Sequence, residues 1–229
     1  KKPDLVIKKI IRSSISDLIC KGVKPKYYFI AASGNKKSFS PSNLKKISKS
    51  LKEEQKRYGI SLCGGDTVYS NKLSFSITSI GFSSKIIKRN NAKLNDDIYV
   101  TGNLGDSFAG LKILRKKITT TRHLKSFFEK KYYLPNLHLN LTKKIMSFAN
   151  TSIDISDGLF ADLEKLINKQ KLSYKINLES IPISKNLKRL IFLKRLNKLS
   201  FISEGDDYQI LFTANANKSR IIDKTAKSL

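Results

Sequence analysis

Residues Thr151 to Leu166, TSIDISDGLFADLEKL, set the architecture of the chain around them. β-compatible residues lead into Asp154, Ser156 and Asp157. Gly158 follows, and Leu159, Leu163 and Leu166 then fall on one helical stripe. That order reads as a buried strand, a tight turn and an amphipathic helix. Two acids and a hydroxyl therefore stand at the carboxyl end of a strand. Two explanations are open: Asp157 or Ser156 caps the helix with a side-chain oxygen, or the acids hold metal ions where open α/β sheets bind ligands.

Outward from this stretch, strands and helices alternate. Leu5 to Cys20 is expected to be a helix ending near Gly22, and Tyr27 to Ser33 (YYFIAAS) a strand. Ser40-Pro41 then opens a helix that runs to Gly59. Ile60 to Cys63 reads as a short buried strand ending in GGDT, and Leu73 to Phe82 as an alternating strand. The polar run from Ser83 to Asp96 places a domain boundary there, giving domains 1–84 and 85–229. Beyond it come a strand at 97–102, a helix opened by Asn103 to Ser107, helices at 126–133 and 137–150, a strand at 174–178, and an acidic loop, SEGDDY, feeding a last strand. The class is α/β or α+β, with mixed sheets covered by helices.

The chain of 229 residues carries a formal charge of +27 with 40% hydrophobic content. It is globular, and no apolar run approaches the roughly 20 residues that span a bilayer. It opens KKPDLVIKKI, without methionine and with charges where a signal peptide is apolar, so a natural start upstream is expected and a secretory leader is not. Cys20 and Cys63 form no metal-ligand spacing or disulfide framework, which suits a reducing cytoplasm. Such a charge suggests nucleic acid as partner. However, lysine far outnumbers arginine and is spread along the chain with Asn and Ile, as an A+T-rich coding sequence would produce. The charge therefore reads as solvated surface.

Acids are few and grouped: Asp17 in ISDL, Asp66 in GGDT, Asp154 with Asp157 in DISDG, and Asp206 with Asp207 in EGDDY. Each motif alone reads as a cap or turn; together they suit Mg²⁺, a hard cation commonly shared between carboxylates and substrate phosphates. GGDT and TGNLGDS place backbone N–H groups beside carboxylates, the second at a helix start that attracts anions. Neither is a P-loop or a dinucleotide fingerprint. His123 and His138 have no catalytic companions and read as surface or satisfied residues.

SDLICKGVKP (16–25), GGDT, TGNLGDSFAGL, SIDISDGL and GDDYQILFT occur in the order and spacing that resemble thiamine-monophosphate kinases, of the aminoimidazole-ribonucleotide synthetase-like superfamily of ATP-binding proteins. The resemblance implies a two-domain fold that dimerises through its N-terminal domain. It implies transfer of the γ-phosphoryl group of ATP to thiamine monophosphate with Mg²⁺ as cofactor. Carried over, Asp17, Asp66, Asp154 and Asp157 are Mg²⁺ ligands, Gly65, Arg89 and Ser156 contact ATP, and Asp206 touches the thiamine substrate. Nothing in the residues themselves singles Arg89 out of its lysine-rich surroundings. The family carries further motifs upstream and downstream, so residues 1–229 are expected to be a fragment lacking both termini, with little or no activity alone. Glu204, Lys21 and the stretch Tyr132 to Leu139 depart from the family pattern and bear on substrate affinity. Two other functions compete: another ATP-using enzyme of the same superfamily with a different acceptor, and a basic nucleic-acid-binding protein.

Overall fold

The computed structural model describes residues 2–228. The chain opens with α1 (Pro3–Cys20), a helix with Ile7, Ile11, Ile15 and Ile19 buried along one stripe. β1 (Pro25–Gly34), β2 (Ser61–Tyr69) and β3 (Ser74–Gly81) form the first sheet, in the order β2-β1-β3. β1 runs parallel to β2 and antiparallel to β3, so the sheet is mixed. The parallel pair needs a crossover, and α2 (Pro41–Tyr58) supplies it. Tyr28, Ile30, Phe75 and Ile77 join the α1 core, and Ser14 of α1 meets Ser79 of β3 through their hydroxyls at 2.8 Å.

β4 (Asp96–Val100), β5 (Thr151–Asp154) and β6 (Ile210–Asn215) form a second sheet, antiparallel throughout, in the order β4-β6-β5. α3 (Asp106–Leu114) and α4 (Arg122–Tyr133) pair with one another. α5 (Thr142–Ile145) is a single turn leading into β5. α6 (Leu159–Ile167) follows β5 and buries the expected Leu159, Leu163 and Leu166. α7 (Lys185–Lys194), α8 (Leu199–Ile202) and α9 (Ser219–Lys227) complete the chain. Phe212 and Ala214 of β6 share the core of α1, so the N-terminal helix is packed against the second sheet as well as the first. Among the described residues no helix is long and apolar enough to cross a membrane.

Three expectations need correction. The strand at Ile60 to Cys63 is neither short nor buried: β2 continues through GGDT to Tyr69 and is exposed along its length, because none of its side chains joins the core that β1 and β3 build with α1. The helix expected over 137–150 is broken into a 3₁₀ turn at Leu139–Leu141 and α5. There Thr142 Oγ1 donates to the Leu139 carbonyl (2.6 Å) and Ser147 Oγ to that of Lys144 (2.7 Å), local bonds that compete with a helical ladder. No strand forms at 174–178; Tyr174 to Asn177 instead face β4 across a cavity of about 640 Å³.

Candidate functional site

β5 ends at Asp154, and the chain turns through Ile155, Ser156, Asp157 and Gly158 into α6. Neither Ser156 nor Asp157 caps that helix. Asp162, fully buried in the first turn of α6, reaches back, and its Oδ2 accepts the main-chain N–H groups of Ser156 (2.9 Å), Asp157 (2.8 Å) and Gly158 (3.1 Å). A carboxylate satisfying three donors at a helix start is favoured by both hydrogen bonding and the helix dipole. The Ser156 hydroxyl is thereby released from capping, while the Asp157 carboxylate pairs with Lys165.

A second acidic turn sits directly on the first. The N–H of Asp206 donates to the Ser156 carbonyl (2.9 Å), that of Tyr208 to the Ile155 carbonyl (2.8 Å), and that of Ile155 to the Gln209 carbonyl (2.8 Å). The backbones approach so closely that a Cβ on Gly205 would lie 1.8 Å from the Ser156 oxygen, and one on Gly158 2.0 Å from the Ser203 oxygen. DISDG and EGDDY, about fifty residues apart in sequence, are one structural unit, and the two glycines are what lets them touch.

Asp154 is buried on the floor of this unit. Burial pushes its carboxyl up to about 6; the Ser16 hydroxyl, which donates to Asp154 Oδ2, holds it down, and the charge of Asp17 adds to the rise. Asp17 lies one residue along α1, more exposed, with Lys21 Nζ at 3.7 Å. Mg²⁺ characteristically takes one or two protein carboxylates and completes its shell with water and phosphate oxygens. The pair Asp17 and Asp154 fits that requirement. The four aspartates do not form one cluster: among the described residues no three His, Cys, Asp or Glu side chains converge. Asp157 is engaged by Lys165. Asp66 lies on β2 in register with Ala31 and Ser76, on the opposite sheet face from the Ile30 and Ile77 row that packs on the core.

Gly65, beside Asp66, has its Cα against β1: an added Cβ would sit 1.8 Å from the Ile30 carbonyl oxygen. This close approach accounts for the glycine without reference to a ligand. Arg89 lines a cavity of about 460 Å³ together with Lys85, Lys88 and Lys218, a cationic lining suited to an anion. Thr151 Oγ1 donates to the Lys88 carbonyl (2.7 Å), which places this cavity at the start of β5. Asp154 is at its other end, roughly 10 Å away along the strand, so Arg89 does not share the turn that carries Ser156.

Four side chains that the sequence reading left without a role hold this arrangement. Asp162 organises the first turn, and Ser16 bonds Asp154. Asp207, almost fully buried, accepts the N–H groups of Gly105 (2.6 Å) and Ser107 (3.2 Å) at the start of α3. Lys9 reaches from α1 to Asp206 Oδ1 at 2.9 Å. Asp207 and Ser16 were at least within the acidic motifs. Asp162 had only its spacing four residues beyond a glycine, and Lys9 was one lysine among many. His138 is satisfied, as expected, by Gln209 Oε1 at 2.9 Å.

Residues 1–83 match the family described as AIR synthase related protein, N-terminal domain. The thiamine-monophosphate kinase of Leptospira interrogans is 30% identical over 226 residues, covering 98% of this chain and 72% of that protein. The thiamine-monophosphate kinase of Buchnera aphidicola from Acyrthosiphon pisum is 35% identical, covering 94% of this chain and 68% of that protein. Among solved structures, thiamine monophosphate kinase from Aquifex aeolicus superposes with a TM-score of 0.89 at 29% identity, over 95% of this chain and 74% of that one. A structure of AaThiL complexed with AMPPCP and TMP gives the same TM-score and identity over 96% of this chain and 71% of that one. The hydrogenase maturation protein HypE of E. coli, at 16% identity and a TM-score of 0.78, shares the fold alone.

Proposed function

The chain belongs to the thiamine-monophosphate kinase family, whose activity is ATP-dependent phosphorylation of thiamine monophosphate, and we propose that the transfer takes place where its two acidic turns meet. The observation that carries this reading is the hydrogen bond from the Asp206 N–H to the Ser156 carbonyl. It joins the turn expected to contact ATP to the residue expected to contact the acceptor.

The chemistry asks little of a general base. A phosphate monoester has a second pKa of about 6, so the acceptor is largely dianionic at neutral pH. The obstacle is repulsion between that anion and the triphosphate, and relief comes from positioning and electrostatics. Asp17 and Asp154 would hold Mg²⁺, which when bound neutralises phosphate charge and aligns attacking and leaving oxygens. Ser156 would offer its hydroxyl to ATP, Asp206 its carboxylate to the cationic thiazolium ring, and the basic cavity at Arg89 its charge to the nucleotide. Asp66, Asp157 and Gly65 are assigned to the site by family likeness, with the roles of metal ligands and ATP contact.

We further place the domain division at 84/85, between the two sheets. A homodimer would form through the open face of the first sheet, where Phe29 and Val68 are exposed and Phe82 packs edge-on to Tyr27 of β1. Cys20 and Cys63 are free thiols, in keeping with a cytoplasmic location.

The test is to incubate the product of the complete reading frame with Mg-ATP and follow thiamine diphosphate by chromatography, with thiamine monophosphate as acceptor and free thiamine as control. Product from the monophosphate alone, reduced at least roughly 100-fold by Asp154→Asn, is the expected result. Equal phosphorylation of free thiamine, or an Asp154→Asn rate equal to wild type, would overturn it.

A further inference from the structure

Asp206 is held in an unusual way. Its backbone φ is +71° and that of Tyr208 is +51°, both left-handed and both carried by residues with a Cβ. Such a backbone persists only where surrounding contacts over-determine it. Here both contacts converge on one carboxylate oxygen. Lys9 Nζ lies 2.9 Å from Asp206 Oδ1, and the Tyr208 hydroxyl donates to the same Oδ1 at 3.1 Å. Among the described residues nothing donates to Oδ2.

Lys9 is itself fixed. Its ammonium donates to the Tyr132 carbonyl (3.0 Å) and stands 3.5 Å above the centre of the Tyr132 ring, with the Tyr208 ring 5.9 Å away. An ammonium between a carboxylate, a carbonyl and an aromatic face is restrained in all directions, and such charge-assisted contacts are the strong ones. Burial lowers the Lys9 pKa, and the charge and hydrogen bond of Asp206 oppose that shift. The helix that carries Lys9 also carries Ser16 and Asp17, seven and eight residues further on. One rigid element therefore sets both the acceptor residue and the carboxylate pair at Asp154.

We propose that Lys9 is a positioning residue for the acceptor: by fixing Oδ1 of Asp206 it leaves Oδ2 free and oriented for the positively charged thiazolium ring. The inference rests on the reading that Asp206 meets the acceptor. The opposite possibility has the opposite sign. If Lys9 were only a competing cation in an anionic pocket, its removal would strengthen binding of a cationic ligand.

Binding of thiamine monophosphate and of a non-hydrolysable ATP analogue to the chain, measured separately by titration calorimetry, tests this without requiring turnover. Lys9→Met should weaken thiamine monophosphate binding roughly 10-fold, the scale of one lost charge-assisted hydrogen bond. The ATP analogue should bind as before, and Lys9→Arg should restore most of the loss. Unchanged or tighter binding of thiamine monophosphate by Lys9→Met overturns the proposal, as does equal weakening of both ligands, which marks a merely structural role. Should Lys9→Met fail to fold by circular dichroism, Tyr208→Phe removes the second anchor of the same oxygen. It should weaken thiamine monophosphate roughly 3-fold, and no change would overturn the proposal. Wild-type protein that binds the ATP analogue but not thiamine monophosphate removes the underlying reading, and the inference with it.

Discussion

At Asp207 a carboxylate is enclosed and yet accepts two main-chain N–H groups at the start of α3. Burial pushes its carboxyl up to about 7. The bonds from Gly105 and Ser107 hold it down, and the charges of Asp106 and Asp206 push it further up. Asp106 is shifted upward too, again chiefly by burial, with the Ser184 hydroxyl opposing. Lys131 adds a countercharge on the Asp106 side of the cavity that these residues share with His138. The ordinary value is near 3.8, so between about pH 4 and 7 the folded chain binds a proton that the unfolded chain has lost. The contribution of Asp207 to stability is therefore largest at low pH and is lost as pH rises toward 7. Asp207→Asn is neutral throughout. The stability difference between wild type and Asp207→Asn, from urea unfolding, should shrink by roughly 2 kcal/mol between pH 5 and 7. A difference that stays flat or grows would mean that the two N–H bonds outweigh burial and keep the group ionised.

At the scale of elements, the site is a seam between two turns, and its strength lies in how closely their backbones approach. Gly205→Ala would place a methyl 1.8 Å from the Ser156 oxygen and 2.7 Å from the Asp157 Cα, neither of which can swing aside. It should cost about 1–3 kcal/mol or more and weaken thiamine monophosphate binding through the displaced Asp206. Gly59, the C-cap of α2, is the matched control. Its φ is +63° but nothing lies within 4 Å of an added Cβ, so Gly59→Ala should cost only about 1 kcal/mol and spare binding. Thermal unfolding of both variants, with ligand titration, decides this. Equal losses would deny that the turn contact is specific. Much of this level was legible in the sequence. The Leu159, Leu163 and Leu166 stripe, the helix stop at Gly59 and the strand before Asp154 follow from local periodicity and capping, which a linear reading can see. What it missed depends on tertiary partners. β2 runs on through two glycines because β1 offers a ladder, and Tyr174 to Leu178 has strand-like residues but no partner. Asp162 caps α6 from inside the helix, and Lys9 gains meaning only from an aspartate nearly two hundred residues away.

At the scale of the whole molecule, a charge of +27 and an uncovered sheet face pull in opposite directions. The row of β1 that includes Phe29 and Ala31, with Asp66 and Val68 of β2 beside it, faces away from the core. Phe29 and Val68 remain 42% and 53% exposed. Apolar burial would favour pairing two copies there, while two strongly positive chains repel each other. Salt screens that repulsion within about 10 Å at 0.1 M, so an apolar homodimer should tighten as salt rises. A nucleic-acid complex behaves in the reverse way, because neutralised phosphates release counterions and affinity falls steeply with salt. The sign of the salt dependence thus separates the homodimer that the family resemblance implies from the nucleic-acid partner that the charge suggests. In sedimentation velocity the wild-type chain should shift toward dimer as salt is raised from 0.05 to 0.5 M (about a tenfold span). Val68→Asp should remain monomeric at every salt, since it adds a charge that the joined faces would have to bury unpaired. A wild-type chain that is monomeric throughout, or a Val68→Asp variant that associates equally well, would show that the open face of the first sheet is not where two copies meet.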